Sequence, residues 1–597
     1  MPKWLVMPHL LQTGLIDNIF IKKFKSIKIR KLIFMTWNIF KTIGRNLILI
    51  LLVYFIIQFF NLTQLSLTRT GFFLTIIFII LILFYILKTI FIKKGKRIFS
   101  FWTSIWQSVK QAIKENSEIK KFTTRHKNLF SFLQKRLAKD NFYGLPLTLL
   151  SLSLFYIIAL FGGIIEDLIN SDVIISADIR MANLLTIFRN VELTKIFFWI
   201  TLLGKWQVIL IFTITTIFIL WLWKKQAYII PLLISIAGSE IFTSIGKIIL
   251  HRARPTVAIY VENSFSFPSG HATIAIAFYG FLTYCLIKNI KKWKYKINIF
   301  FISLITILLI GISRLYLGVH YVSDVWAGYL VGTIWLIIAI SLTEYLLSKK
   351  QKIYTTYPDP KKWLVTISVI IISIGLYIIF ALQYQTPATV TPLITNKITT
   401  TNIINIFKTD QLKYTETLLG NKQEPLNFII ITKNDQQLIN LFKQANWLLA
   451  DNVNLSSIYK IAKAVLLKES YLQAPMTPDF WDSEVHNFGF EKATAANNVR
   501  VRHHARFWKT NYITENGNNI YVGTASFDDG IKWGITHTIN PDVDTEREFL
   551  FNDLQKTNII INSTKQQLVN PELGNNFSGD PFFTNGELYI LSTEKNQ

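Results

Sequence analysis

Over the first two thirds of the chain, apolar residues come in long runs rather than in short alternations. The runs at 46–62, 71–92, 145–165, 206–223, 227–247, 272–289, 297–313, 325–347 and 363–383 carry almost no charge. A helix needs about 20 apolar residues to cross the hydrocarbon core of a bilayer, so the pattern predicts nine spans. Basic clusters separate them: Lys93, Lys94, Lys96 and Arg97; Lys224 and Lys225; the lysines of 288–296; Lys349, Lys350 and Lys352, followed by Lys361 and Lys362. Cytoplasmic loops are enriched in Lys and Arg. Placing every cluster inside puts the N-terminus in the cytoplasm and the C-terminus outside, and nine spans satisfy that alternation.

Two stretches break the pattern. Residues 98–144 mix Phe101, Trp102, Trp106, Phe122, Phe130 and Phe132 with many basic residues, as in amphipathic helices lying on the inner membrane face or in a solvated cytoplasmic linker with hydrophobic packing points. After Gln383 the chain turns to Thr, Asn, Pro and charge. Residues 390–597 read as a soluble α/β or α+β domain, with strands at 428–432 and 520–522 and a helix at 456–467. The fold class is therefore an α-helical polytopic membrane protein with a soluble C-terminal domain. Its parts are a basic N-terminal region with two spans (1–144), a six-span core (145–352), a further span and linker (353–389) and an extracytoplasmic domain (390–597).

Composition sharpens this picture. Of 597 residues, 51% are hydrophobic and only 17% charged, a balance that suits a bilayer and not a soluble enzyme of this size. The net charge of +27 divides into +20 over residues 1–144, +10 over 145–384 and −3 over 385–597. A basic excess beside apolar spans fits anionic lipid at the cytoplasmic leaflet. Because the basic residues alternate with spans, no nucleic-acid partner is expected. No cleavable signal peptide is read at the N-terminus, where the first long apolar run follows a basic stretch. The single cysteine, Cys285, lies in an apolar run, which excludes a disulfide framework and a thiolate metal cluster.

Three polar islands stand at span ends on the face assigned to the outside. They are Lys247 with Arg254 and Pro255; Pro268, Ser269, Gly270 and His271; and Ser313 and Arg314 with His320 and Asp324. Lys247, Arg254 and Arg314 offer three cations, and guanidinium forks match phosphoryl oxygens. Ser269 brings a hydroxyl donor, and Gly270 lets a backbone N–H come close to an oxygen. A helix starting near His271 points its positive end at the same anion. His320 and Asp324, four apart, share one helical face. There Asp324 can hold one ring nitrogen and leave the other free to attack phosphorus, with His271 as the acid for the departing oxygen. Each island alone has a bland reading, as a turn, a structural pair or snorkelling cations. Three of them in order on one face do not.

At these residues the sequence resembles the type 2 phosphatidic acid phosphatase superfamily. The resemblance implies a six-helix core and a site at the outer membrane face. It assigns His320 as the phosphohistidine, Asp324 as its orienting partner and His271 as general acid, with Lys247, Arg254, Ser269, Gly270 and Arg314 on the phosphate. It implies no metal and no cofactor. The stretch 145–352, together with Arg502, His503, His504, Ala505, Arg506, Phe507 and Trp508 and with 535–544, is also similar to proteins that carry an LssY-type C-terminal domain behind such a core. Some relatives begin with a DedA-like membrane domain, and none is assigned to residues 1–144.

The function expected is hydrolysis of a lipid phosphate or diphosphate at the outer face of a bacterial-type inner membrane. Polyprenyl diphosphate, phosphatidic acid, phosphatidylglycerophosphate and a lipid A phosphate all fit, and a polyprenyl diphosphate is favoured. A phosphate-transferring enzyme using the same intermediate and a non-enzymatic lipid transporter are the alternatives. All residues able to do the chemistry lie between 247 and 324, so the C-terminal domain is expected to be dispensable for it and to bind a ligand or a protein partner. His503, His504, His537, Asp542 and Asp544 suggest a metal by type but not by spacing. Adjacent His503 and His504 point to opposite faces if they lie on a strand. Glu240 and Lys205 are charges set in apolar runs; Glu240 is expected either to tune the site or, as the favoured reading, to pair with Lys205.

Overall fold

The computed structural model describes residues 69–594, apart from 139–141, 171, 350–358, 386–396, most of 453–472, 499–500, 533–535 and 577–578. The expected span at 46–62 and most of the expected helix at 456–467 lie outside the described residues. Helix α1 (Arg69–Glu115) contains the apolar run at 71–92 but does not stop at membrane length. It continues through the basic cluster to Glu115, and short helices α2 (Ser117–Arg125) and α3 (Lys127–Arg136) follow. Asn116 separates α1 from α2 because its side chain accepts from the backbone N–H groups of Glu118 and Ile119, as an N-cap does. Phe101, Trp102, Trp106, Phe122 and Phe132 are exposed along this region.

Among the described residues, six helical segments are long and apolar enough to cross a membrane: Leu145–Asn170, Gln226–Leu250, Gly270–Asn289, Trp293–Tyr316, Val322–Lys349 and Pro360–Gln383. The expected span at 71–92 lies within α1, and the side chains of 71–75 and 78 lie outside the described residues. A seventh arises if α6 (Val191–Leu202) and α7 (Trp206–Leu222), bent by 45° at their junction, count as one span. The run at 206–223 is thus the second half of a broken span. Helix α5 (Asp172–Thr186) fills the connection between α4 (Leu145–Asn170) and α6.

Helix α8 (Ile229–Leu250) leads into the loop that carries Arg254. The span Gly270–Asn289 comprises α9 (Gly270–Ala275), a π-helical turn and α10 (Phe281–Asn289). Then come α11 (Trp293–Tyr316), α12 (Val322–Lys349) and α13 (Pro360–Gln383). Helix α12 is the most enclosed, with half of its apolar window buried, and it packs on α4, α8 and α9. Small residues make that possible, as they do between membrane helices generally. A methyl group on Gly328 would come within 2.5 Å of the Ser269 carbonyl oxygen, and one on Gly332 within 2.5 Å of that of Thr273.

The C-terminal domain is built on a nine-stranded mixed sheet. Its main path runs β12 (Asn562–Gln567), β15 (Glu587–Ser592), β4 (Phe428–Thr432), β10 (Asn519–Lys532), β9 (Val501–Ile513), β8 (Phe488–Asn498) and β5 (Leu448–Leu449). Strand β1 (Ile398–Thr399) joins β9 in parallel, and β11 (Thr536–Ile539) joins β10. A four-stranded sheet, β3 (Lys422–Pro425), β2 (Tyr414–Glu416), β6 (Phe480–Trp481) and β7 (Glu484–Val485), and the pair β13 (Glu572–Asn575) and β14 (Pro581–Thr584) complete it. Alternation along β4 sends Phe428 and Ile430 to one side, where they pack with helices α14 (Asp435–Gln444) and α15 (Val543–Gln555) through Leu438, Phe442, Leu550 and Leu554. Ile429 and Ile431 face the other way, against Trp508, Val522 and Leu588. The strands expected at 428–432 and 520–522 are β4 and part of β10.

The backbone oxygen opposite Gly332 cannot move aside without shifting a helix. Gly332→Ala should therefore destabilise the core by about 1–3 kcal/mol through overpacking. Thermal unfolding in detergent checks this, and an unchanged midpoint would show that the helices are not held at that contact.

Candidate active site

The three sequence islands converge. Lys247, on the last turn of α8, donates to the Ser264 hydroxyl at 3.0 Å. Arg254 reaches the same hydroxyl at 3.0 Å and donates to the Ser264 carbonyl at 2.7 Å, so one serine of the 251–269 loop registers two cations. Arg254 also donates to the Val319 carbonyl at 2.6 Å, and its guanidinium nitrogen lies 3.2 Å from Nε2 of His320. Arg314 is fully buried at the end of α11. It donates to Thr201 at 3.0 Å and to the Tyr260 hydroxyl at 2.7 Å.

One carboxylate ties the cations together. Glu262 lies 2.5 Å from Arg314 and 2.7 Å from Arg254. Burial alone would raise its pKa, but Arg314, His271 and Arg254 outweigh burial and hold the carboxyl well below the usual range. An ionised acid at this point offsets part of the mutual repulsion of the guanidinium groups. Glu262 and Tyr260 were not singled out from the sequence. The available signal was an acidic residue standing alone in a loop between two cationic islands.

Ser269 caps α9 and is completely buried, and its hydroxyl has no hydrogen-bond partner. A buried donor without a partner is costly, and this one suits an anion in front of the helix. Its N–H donates to the Asp324 carbonyl at 2.9 Å, which joins the second island to the third. A methyl group on Gly270 would meet Thr243 only at an ordinary 3.7 Å, so packing does not demand a glycine there. His271 lies against the α6–α7 junction, where a methyl group on Gly204 would come within 3.2 Å of its ring. The bend in the broken span gives the imidazole its wall.

His320 follows a turn that needs glycine: Gly318 has φ of +68°, a left-handed conformation costly for residues with a Cβ. The His320 Nδ1 is 3.5 Å from Asp324, an ion-pair distance longer than a formed hydrogen bond. With Nδ1 protonated towards Asp324, the Nε2 lone pair faces the cations. Burial, then Arg314 and Arg254, hold the imidazole well below its ordinary range, which favours its neutral form. Asp324 is itself fixed: Arg252 donates to one oxygen at 2.6 Å and the Tyr321 N–H to the other at 2.9 Å.

A model described as the PAP2 superfamily matches residues 228–348, and one described as LssY C-terminus matches residues 408–588. The chain joins a PAP2-superfamily membrane phosphatase core to an LssY-type C-terminal domain. Phosphatidylglycerophosphatase B of Bacillus subtilis (strain 168) is 29% identical over 195 residues, covering 32% of this chain and 96% of that protein. The crystal structure of the transmembrane PAP2 type phosphatidylglycerolphosphate phosphatase from Bacillus subtilis matches at 29% identity with a TM-score of 0.30, covering 32% of this chain and 96% of that one. That of Aquifex aeolicus LpxE matches at 26% identity with a TM-score of 0.22, covering 27% and 94%.

Other candidates from the sequence lie apart from the PAP2 site. Lys205 donates to the Tyr384 hydroxyl at 2.5 Å; its partner is not Glu240, which is exposed on α8. In the LssY-type domain His503 and His504 do face opposite ways. His503 pairs with Glu546 at 2.8 Å and stacks on Phe549, while His504 pairs with Asp528 at 3.0 Å. Asp542 caps α15 and Asp544 pairs with Arg547. These side chains are spent on separate protein partners, and the His537 side chain lies outside the described residues. Among the described residues no group of three or more His, Cys, Asp or Glu is placed to hold a metal ion.

A depressed pKa keeps the nucleophilic form of His320 available at lower pH. The acid limb of kcat/KM should therefore fall below about 6.5, the ordinary histidine value, and Arg254→Gln should move it upward by removing a cation. A limb at or above the ordinary value in the intact enzyme would contradict this electrostatic reading.

Proposed function

We propose that the chain hydrolyses a phosphate or diphosphate carried on a membrane lipid, through a phosphohistidine on His320. The observation that carries this reading is that Ser264 and Glu262 link Lys247, Arg254 and Arg314, that Arg254 lies 3.2 Å from Nε2 of His320, and that Ser269 is bonded through its N–H to the Asp324 carbonyl. The phosphoryl oxygens occupy the cations and the N-terminus of α9. Nε2 attacks phosphorus, the bond from phosphorus to the lipid oxygen breaks, and His271 gives that oxygen its proton. A water that loses its proton to His271 then attacks the phosphohistidine and releases inorganic phosphate. Three protein cations and a helix N-terminus neutralise the charge, so the reaction is read as needing no metal. Transfer to a lipid or sugar acceptor would begin with the same first step.

Substrate choice remains among polyprenyl diphosphate, phosphatidic acid, phosphatidylglycerophosphate and a lipid A phosphate. Phosphatidylglycerophosphate is the first to assay, because the Bacillus subtilis relative is named for that activity. The multi-pass core belongs in a bacterial inner membrane. The charge alternation assigns the site and the C-terminal domain to its outer side.

His320→Ala should abolish both turnover and the trapping of labelled phosphate on acid-free quenching, whereas His271→Ala should slow poor leaving groups most. Substantial turnover by His320→Ala would remove the nucleophile assignment.

Single cysteines placed at Asn263, exposed in the loop that carries Arg254 and Ser264, and at Asn540, in a chain whose Cys285 has been replaced, should react with an impermeant reagent from outside, and one at Lys292 only from inside. Labelling of position 263 from the cytoplasm alone would move the site to the inner leaflet.

A further inference from the structure

Helix α5 is held from both sides by buried charges. Asp178, 3% exposed, accepts from Arg252 at 2.7 Å, from the Ser323 N–H at 3.1 Å and from the Ser323 hydroxyl. The same Arg252 donates to Asp324 at 2.6 Å and to the Ser323 hydroxyl at 2.7 Å, and its guanidinium covers the Tyr321 ring. Two residues on, Arg180 is 4% exposed and donates twice to Glu416 of the C-terminal domain, at 3.0 and 2.6 Å. Residues two apart on a helix are about 200° apart around its axis. Asp178 therefore faces the active site while Arg180 faces the domain.

The domain side is equally specific. Glu416, 2% exposed, also accepts from Gln411 at 3.1 Å and from the Ser483 N–H at 3.2 Å. Asn183, a turn along α5, donates to the Ser483 carbonyl at 2.9 Å and to Glu484 at 3.2 Å. Gly420, with φ of +86°, lies flush on α5, where a methyl group would come within 2.9 Å of Arg180 and 3.1 Å of Ser176. A buried ion pair is a poor general adhesive, because desolvation consumes most of its attraction, but it fixes geometry strictly.

We propose that the C-terminal domain positions the nucleophile: Glu416 holds α5 through Arg180, α5 holds Arg252 through Asp178, and Arg252 sets the orientation of Asp324 behind His320. Arg252, Asp178, Arg180 and Glu416 are positioning residues, since none touches the reacting atoms. The proposal rests on the reading of His320 as nucleophile. It also revises the sequence-based expectation that the domain is dispensable for the chemistry. That expectation considered which residues react and not what holds them.

The test uses the purified full chain with a short-chain lipid phosphate. Glu416→Gln should lower kcat by about ten-fold, within the range that packed networks transmit, while KM stays within about two-fold. Exchanging the charges, Arg180→Glu with Glu416→Arg, should recover much of the loss. In an Asp324→Asn background Glu416→Gln should have no further effect, because the residue it acts through is already disabled. A merely structural contact would lower both backgrounds alike. If Glu416→Gln reduces the yield of folded protein, Asn183→Ala carries the same test with a smaller fall in kcat. Unchanged kcat in these variants, or equal losses with and without Asp324, would overturn the proposal. If His320→Ala itself remained active, the nucleophile reading would have failed instead, and the two failures are separable.

Discussion

Three cations gathered at one point in a low-dielectric core repel one another, and this constraint organises the site. At an effective dielectric of about 20, two unit charges about 4 Å apart interact by about 4 kcal/mol. Lys247, Arg254 and Arg314 can stay together without a phosphate only if the protein supplies opposite charge and hydrogen-bond acceptors. Glu262 bridges the two arginines, and Ser264, Tyr260, Thr201 and the Val319 carbonyl accept from further donors of the three cations. The loop between α8 and α9 carries three of these compensating groups, Tyr260, Glu262 and Ser264. A phosphate entering the site meets donors already aimed, which is the form of preorganisation that stabilises charge in a transition state.

The helices serve the same end. Glycines on α12 let the N-terminus of α9 press against it, so that Ser269 and Asp324 share a backbone hydrogen bond. The broken span brings Gly204 to His271. A second charge system, Asp178 with Arg252 and Asp324, lies beside His320 and extends through α5 to Arg180 and Glu416. The PAP2 core and the LssY-type domain thus meet at the helix whose Asp178 holds Arg252 against Asp324.

Much of this was legible in the sequence, for physical reasons. A bilayer demands long apolar runs, so the spans from 227 to 383 were found close to their observed bounds. Phosphate chemistry demands cations, a hydroxyl and paired imidazole and carboxylate, and those islands proved to be neighbours. Strand periodicity placed His503 and His504 on opposite faces. What escaped has reasons too. Helices α5 and α6 are too short to announce themselves as spans, and α1 runs past membrane length because helix propensity does not stop at a bilayer boundary. Arg180 and Glu416 lie 236 positions apart, and local spacing carries no information about such a pair. Glu262 looked like an isolated loop acid because its partners, Arg254 and Arg314, come from separate islands.

The central claim is that a phosphoryl group sits between His320 and the three cations. A structure of the full chain with vanadate, which can adopt the trigonal bipyramidal geometry of phosphoryl transfer, tests this most directly. Vanadium is expected to be bonded to Nε2 of His320, with oxygens on Lys247, Arg254, Arg314 and the Ser269 hydroxyl and with Glu262 displaced or rearranged around them. Vanadate bound to another side chain, or a site still closed by Glu262 at saturating vanadate, would contradict it.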